Sequence, residues 1–125
     1  MSNGANNIMV CVTRQKTCDR LISRGDELRR ERECELHVVH CVQTGHNFLG
    51  NPYEGEALEY LFTAAQLAGG DLSVLRAENV DDALVDYARN NQVGVIVMGV
   101  APMPGESIIT RLQRRMPDVA FDVVE

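Results

Sequence analysis

The chain has 125 residues, enough for one domain with a buried core, and 45% of them are hydrophobic. The formal net charge of −6 argues against nonspecific nucleic-acid binding. There is no basic leader and no apolar run long enough to span a membrane, so we expect a cytoplasmic protein that is not inserted in a membrane. The four cysteines have no C-x-x-C spacing, and we expect them to be reduced thiols.

The N-terminal part of the chain predicts a strand, a helix and a second strand. Residues 1–7 are small and polar, which predicts a flexible terminus, and the apolar segment 8–12 predicts a buried strand. Thr17 or Asp19 is suited to cap a helix that runs to about residue 32, and the segment 36–42 predicts the second strand. The apolar face of the helix follows helical spacing and consists of Cys18, Leu21, Ile22, Gly25 and Leu28.

A loop over 44–53 precedes a second helix over 54–68, which Gly69 and Gly70 end as a C-cap. A short strand over 72–76 follows and has the composition of a sheet edge. The inner face of the second helix is predicted to consist of Leu58, Leu61, Phe62 and Ala65.

The C-terminal part repeats the alternation. Asn79 is suited to cap a third helix, with Asp81 and Asp82 in its first turn, where the helix dipole favours anions. The segment 93–100 is almost entirely apolar, which predicts a strand buried on both faces. A Gly/Pro loop, a helix over 107–116 and a last strand over 119–124 complete the chain.

Strands that alternate with helices predict a parallel sheet with helices on both faces. In such sheets a ligand binds at the carboxyl ends of the strands, where the strand order changes direction. The first and fourth strands are the expected neighbours there, so the candidate site lies between segments 13–18 and 99–107. Free N–H groups of a loop and of a helix N-terminus can hold phosphate at such a place.

The chain resembles the universal stress protein family, and within it the stress-protein-like domain of bacterial potassium-uptake sensor kinases. The resemblance covers nearly the whole chain, and no single motif decides it. It is carried by Ile8-Met-Val-Cys-Val with Thr17-Cys-Asp-Arg-Leu-Ile, by Asp82-Ala-Leu-Val-Asp-Tyr-Ala-Arg with Val95-Ile-Val-Met-Gly, and by segment 107–124 with Arg111, Leu112, Arg114, Arg115, Pro117 and Asp118.

The resemblance implies a single domain over 1–125 with a three-layer α/β/α fold and a five-stranded parallel sheet of order 3-2-1-4-5. This is the fold of adenine-nucleotide alpha hydrolase-like proteins. It also implies a homodimer paired through the last strand, which places Val119, Phe121 and Val123 at the interface. A protein partner in signalling is a further candidate. Neither nucleic acid nor a membrane is expected as a partner.

The nucleotide pocket that the resemblance implies consists of Thr13, Arg14, Gly99, Gly105 and Ser107. ATP-binding members have an Asp where this chain has Thr13, and a Gly-x2-Gly-x9-Gly-Ser/Thr loop in which Gly99 matches only the first position. The second position is Pro102, and Gly105 comes too early. We therefore expect no cofactor and weak or no ATP binding, with another adenine nucleotide left open.

Elementary chemistry supports that expectation. Pro102 and Pro104 have no N–H group, so the loop loses two donors for phosphate. Glu106 places a carboxylate where a phosphate would lie. Arg14 and Lys16 could supply positive charge from the first loop, so a nucleotide- or cyclic-dinucleotide-responsive regulator of osmotic or potassium signalling remains the alternative to a stress-response module with a degenerate pocket.

Cys34, His37, His40 and Cys41 have the residue types of a metal site. On a strand, however, His37 and Cys41 point to one face while Cys34 and His40 point to the other, so we predict no zinc site. Cys18 lies near a helix N-terminus, where a redox role is conceivable, but its place on the apolar face favours core packing. No catalytic Ser/His/acid or Cys/His set is evident, and we expect no enzyme activity.

Overall fold

The computed structural model describes residues 6–12, 15–45, 54–99 and 108–124. It contains a parallel sheet of five strands in the order β3-β2-β1-β4-β5, as predicted. The strands are β1 (Asn7–Cys11), β2 (Leu36–Gln43), β3 (Asp71–Ala77), β4 (Val93–Gly99) and β5 (Ala120–Val124), and the helices are α1 (Gln15–Arg32), α2 (Glu54–Leu67), α3 (Val80–Asn90) and α4 (Ile108–Arg115).

The core has two halves, one on each face of the sheet. One half lies between the sheet and helices α1 and α2, and includes Ile8 and Val10 of β1 and Val97 of β4. The other lies between the sheet and helices α3 and α4, and includes Met9 of β1 and Ile96 of β4. The central strands are therefore buried on both faces, which explains their continuous apolar sequence.

Helix α1 begins earlier than predicted. It starts at Gln15, so Thr17 and Asp19 lie inside the first turns and neither is the N-cap that we expected. Thr and Asp also occur inside helices, so their presence near a helix start does not by itself show which residue is the N-cap. The predicted apolar face is correct, and Gly25 on it lies so close to β1 that an added Cβ would meet Val10 and would lie 3.0 Å from Leu36.

Helix α2 buries a face that matches the predicted one only in part. Leu61 and Ala65 are buried as predicted, together with Ala57, whereas Leu58 is 42% exposed and Phe62 is 53% exposed. The prediction for Leu58 and Phe62 was wrong because apolar residues occupy several sides of this helix.

The predicted C-cap of α2 is confirmed. Gly69 has φ +77°. Its N–H donates to the carbonyl of Gln66, and the N–H of Gly70 donates to the carbonyl of Ala65. These two bonds form a Schellman motif, which requires the left-handed conformation that glycine adopts readily.

Helix α3 has the predicted N-cap, since the Asn79 side chain accepts a hydrogen bond of 2.9 Å from the N–H of Asp82. The two acidic residues of its first turn bind α4. Arg111 contacts both oxygens of Asp81, at 2.6 and 3.3 Å, and Arg115 lies 2.6 Å from Asp82. These ion pairs hold α3 and α4 side by side on one face of the sheet.

The sheet begins at Asn7, within the segment 1–7 that was predicted to be flexible. The N–H groups of Asn6 and Asn7 both donate to the carbonyl of Gln92, and the Asn7 side chain donates to the carbonyl of Asn91. Residues 1–5 of that segment lie outside the described ranges.

Candidate functional site

The strand order changes direction between β1 and β4, at the centre of the sheet. Helix α1 follows β1 and packs on one face, through Cys18 and Leu21. Helix α4 follows β4 and packs on the other face, through Leu112. The N-termini of α1 and α4 therefore lie at the carboxyl edge of the sheet on either side of this crevice, which is where α/β proteins bind anionic ligands.

Of the five residues predicted to form the pocket, the structure describes only Gly99. Thr13, Arg14, Gly105 and Ser107 lie outside the described residues, so their prediction stays open. Gly99 is the last residue of β4 and pairs with Val124 of β5. Among described side chains, the nearest atoms to a Cβ added at Gly99 are those of Leu21, at 3.9 Å, so the surrounding core does not itself require a glycine here.

His40 is the fifth of the eight residues of β2, lies beside the end of β1, and is 3% exposed. Its Nδ1 lies 2.6 Å from the carbonyl oxygen of Val12. A carbonyl can only accept, so Nδ1 carries the proton and Nε2 of the neutral ring is an acceptor. A ligand that reaches the end of β1 therefore meets a carbonyl that already accepts a hydrogen bond.

Burial lowers the pKa of His40, the hydrogen bond to Val12 raises it, and the positive charge of Arg76 lowers it further. The net direction is downwards from 6.5, so the imidazole is neutral at neutral pH. From the sequence we expected a core or edge residue at His40 rather than a metal ligand, but not its contact with Val12. Its position in a strand, facing the same way as Val38 and Val42, was the signal for a buried histidine next to the crevice.

His37 faces the opposite side of the sheet from His40, as the strand alternation predicts. Its Nδ1 lies 3.0 Å from the hydroxyl of Tyr87, and its Nε2 lies 3.1 Å from a carboxylate oxygen of Glu35. The Tyr87 hydroxyl also lies 3.0 Å from that of Ser73. Among described residues, no group of three or more His, Cys, Asp or Glu side chains could hold a metal ion.

The thiols that the structure brings into the core are poorly suited to redox chemistry. Burial raises the pKa of Cys11 to about 12 and that of Cys18 to about 11. The thiolate is the reactive form, so both residues act as small core side chains at neutral pH. For Cys18, desolvation raises the pKa more than the backbone N–H groups near the start of the helix lower it.

Strand β5 is an edge of the sheet, paired with β4 on one side. Val119 and Phe121 are partly buried against the α3/α4 half of the core, and Val123 is 42% exposed. Asp122 accepts from Arg24 of α1, whose Nε and Nη2 lie 3.0 and 2.9 Å from the same carboxylate oxygen. The one acidic residue inside this strand is thus neutralised from within the chain.

None of the described helices is both long enough and apolar enough to cross a membrane.

A family model described as the universal stress protein family matches residues 4–108. The match spans most of the chain, and this protein therefore belongs to the universal stress protein family. No curated protein matches the chain.

Solved structures share the fold at low sequence identity. A universal stress protein from Archaeoglobus fulgidus is 17% identical, with 95% of this chain and 93% of that chain covered and a TM-score of 0.68. A universal stress protein in complex with cAMP is 15% identical, with 98% and 99% covered and a TM-score of 0.72. The Archaeoglobus fulgidus protein in complex with dAMP is 16% identical, with 95% and 97% covered and a TM-score of 0.66.

Proposed function

We propose that this chain is a cytoplasmic, non-catalytic regulatory module of the stress response, which acts as a homodimer and binds ATP weakly or not at all. The observation that carries the proposal is the composition of segment 100–107 between β4 and α4. It contains two prolines and a glutamate where a phosphate-binding loop needs N–H donors and no negative charge.

The His40 to Val12 contact adds support from the described part of the site. The carbonyl at the end of β1 accepts from a buried neutral imidazole, so the one N–H donor of that ring is used within the chain and is not offered to a phosphate. A triphosphate needs cations and N–H donors, and the neutral ring of His40 supplies no positive charge.

Dimerisation through β5 is supported by the chemistry of that edge. The strand is partly apolar on both faces, and no Pro or Lys interrupts it. Unpaired backbone groups on such an edge favour pairing with another strand. Arg24 neutralises Asp122, which was the one residue within the strand able to discourage that pairing.

The second candidate is a regulator that responds to another adenine nucleotide or to a cyclic dinucleotide, in osmotic or potassium signalling like the sensor-kinase domains that the sequence resembles. The observation in its favour is that structures of this fold include complexes with cAMP and with dAMP. Both are adenine nucleotides with a single phosphate, which carry less charge than ATP.

Calorimetric titration of the purified protein distinguishes the two candidates. We expect no saturable heat from ATP in the micromolar range, and a dissociation constant near ~1 μM, worth about 8 kcal/mol, would overturn the degenerate pocket. Parallel titrations with cAMP, AMP and cyclic di-AMP test the second candidate. A ligand that binds only the folded state also raises the melting temperature, which provides an independent readout.

A further inference from the structure

Helix α2 carries more apolar surface than the fold covers. Large apolar side chains are exposed at Leu58, Tyr60, Phe62 and Leu67 of α2, and the other described ones lie on the edge strands β3 and β5. Leu67 is 83% exposed. Tyr60, Ala64 and Leu67 follow the i, i+4, i+7 spacing, so they form one stripe along the helix.

This stripe lines a groove between α1 and α2, which we call the α1–α2 groove. Its larger part has a volume of about 750 Å³ and is lined by Asp19, Glu56, Glu59, Tyr60, Ala64 and Leu67, among others. A second part of about 280 Å³ shares Asp19, Ala64 and Leu67 and extends along α1 to Asp26. Helix α2 has 14 residues, about 20 Å at 1.5 Å per residue, so the groove is long enough to seat a helix of three to four turns.

The rim of the groove is acidic. Asp19 accepts a hydrogen bond from the Tyr60 hydroxyl, which holds α1 and α2 together across the groove. Among the described residues, Asp19, Glu56 and Glu59 form no ion pair, whereas Asp26 at the far end is paired with Arg29 and Arg30. Three carboxylates around an apolar stripe thus have no cation from the described part of the chain.

We propose that the α1–α2 groove is a docking site for a cationic amphipathic helix of a partner protein. Its apolar side chains would cover Leu67 and Ala64, and its Lys or Arg residues would face Glu56, Glu59 and Asp19. A helix is the favoured occupant because an apolar stripe between two helices matches the ridges of a third. Anionic membranes and nucleic acids would meet like charge on this rim.

In a second copy of this chain, the described helix with the highest net positive charge is α4, and α4 is already packed into its own fold. The cationic helix α4 buries Leu112 completely in the core. Its Arg111 and Arg115 bind Asp81 and Asp82 of α3. The groove is lined by residues of helices α1 and α2 and by none of the five residues of the predicted nucleotide pocket, so the inference does not depend on nucleotide binding.

The test uses the full chain and a fluorescein-labelled synthetic 14-residue helical peptide with Leu at i, i+4, i+7 and i+11 and Lys on both flanks. Fluorescence anisotropy is measured against protein concentration. We expect saturable binding, and no saturation up to about 200 μM protein would overturn the proposal. A peptide of the same composition with the leucines dispersed should bind at least about tenfold more weakly. Equal binding of the two peptides would also overturn it.

Two variants locate the site. Leu67→Gln should weaken binding about tenfold, and Glu59→Lys about fivefold or more, with circular dichroism unchanged because both side chains are exposed. The matched control is Glu31→Lys, an equal charge reversal at an exposed position of α1 that does not line the groove. Its affinity should stay within about twofold of wild type. If Glu31→Lys weakens peptide binding as much as Glu59→Lys does, the loss comes from net charge alone, and the assignment of the binding site to the α1–α2 groove is wrong.

Light scattering of the protein without peptide tests whether a second copy of this chain covers the groove. If Leu67→Gln changes the molar mass in solution, a second copy covers the groove, and the assignment to a partner helix is wrong. An unchanged mass, together with the expected peptide results, supports it.

Discussion

The Nδ1 atom of His40 lies 2.6 Å from the carbonyl oxygen of Val12, and this contact joins β2 to the residue that follows β1. Because burial lowers the pKa of His40 below 6.5, the folded protein binds a proton at this ring less readily than the unfolded chain does. The contribution of the neutral ring to stability is therefore complete above that pH and decreases as the pH falls.

The first prediction concerns this pH dependence. The free energy of unfolding of wild type should fall relative to that of His40→Asn as the pH is lowered from 8 to about 5.5. Asn retains an N–H donor for Val12 but does not titrate. Urea unfolding at several pH values measures the difference. Parallel profiles for the two proteins would show that His40 does not titrate as inferred.

The second prediction concerns the loop before α4. Replacing Glu106 with Ser should strengthen any ATP binding by about three- to tenfold, because it removes a negative charge from the loop that we expect to lie next to a bound phosphate. Calorimetry measures the change. Glu31→Ser removes the same charge on the exposed surface of α1 and should leave the affinity unchanged within about twofold. If the two variants behave alike, Glu106 has no local effect on the pocket.

The third prediction concerns the edge strand β5. Phe121→Lys should convert a homodimer into a folded monomer, since a charge on an edge strand disfavours pairing with another strand. Light scattering measures the mass, and circular dichroism checks the helical content. Val74→Lys makes the same kind of change on the opposite edge, β3, and should leave the dimer intact. A monomeric wild type at tens of micromolar, or a dimeric Phe121→Lys, would exclude this interface.

The fourth prediction concerns the contact of α1 with the sheet. Gly25→Ala should destabilise the protein by about 1–2 kcal/mol, because crowding against Val10 and Leu36 outweighs the gain in helix propensity. Gly55→Ala, at an α2 position where an added Cβ meets nothing within 4 Å, should be neutral or stabilising by up to about 1 kcal/mol. Denaturant unfolding measures both. If Gly25→Ala is as stable as wild type, α1 can move away from β1 without a loss of stability, and the prediction is wrong.

Much of the architecture was predictable from local sequence. A strand such as β4, apolar on both faces, belongs inside a parallel sheet, and the alternation with helices implies helices on both sides. The cap at Asn79 and the glycine termination of α2 were also predictable, because they depend on hydrogen bonds and backbone conformations within a few residues. The resemblance to the family then implied the strand order, which the structure has.

The candidate site was predictable only in its location. Its position at the β1/β4 crevice follows from the alternation of strands and helices, but Thr13, Arg14, Gly105 and Ser107 lie outside the described residues and stay predictions. The part played by His40 was not predictable, since its partner Val12 follows a different strand and lies 28 residues away in the sequence.

The sequence by itself determined which segments form strands and helices, because apolar periodicity, caps and glycine turns act over a few residues. Tertiary structure alone decided which side of α2 is buried. That helix has apolar residues around much of its circumference, so periodicity does not select a face. Packing against α1 and the sheet selects the small residues Ala57 and Ala65 with Leu61. Larger side chains such as Phe62 and Leu67 are left in solvent, because small side chains allow a closer approach of helix and sheet.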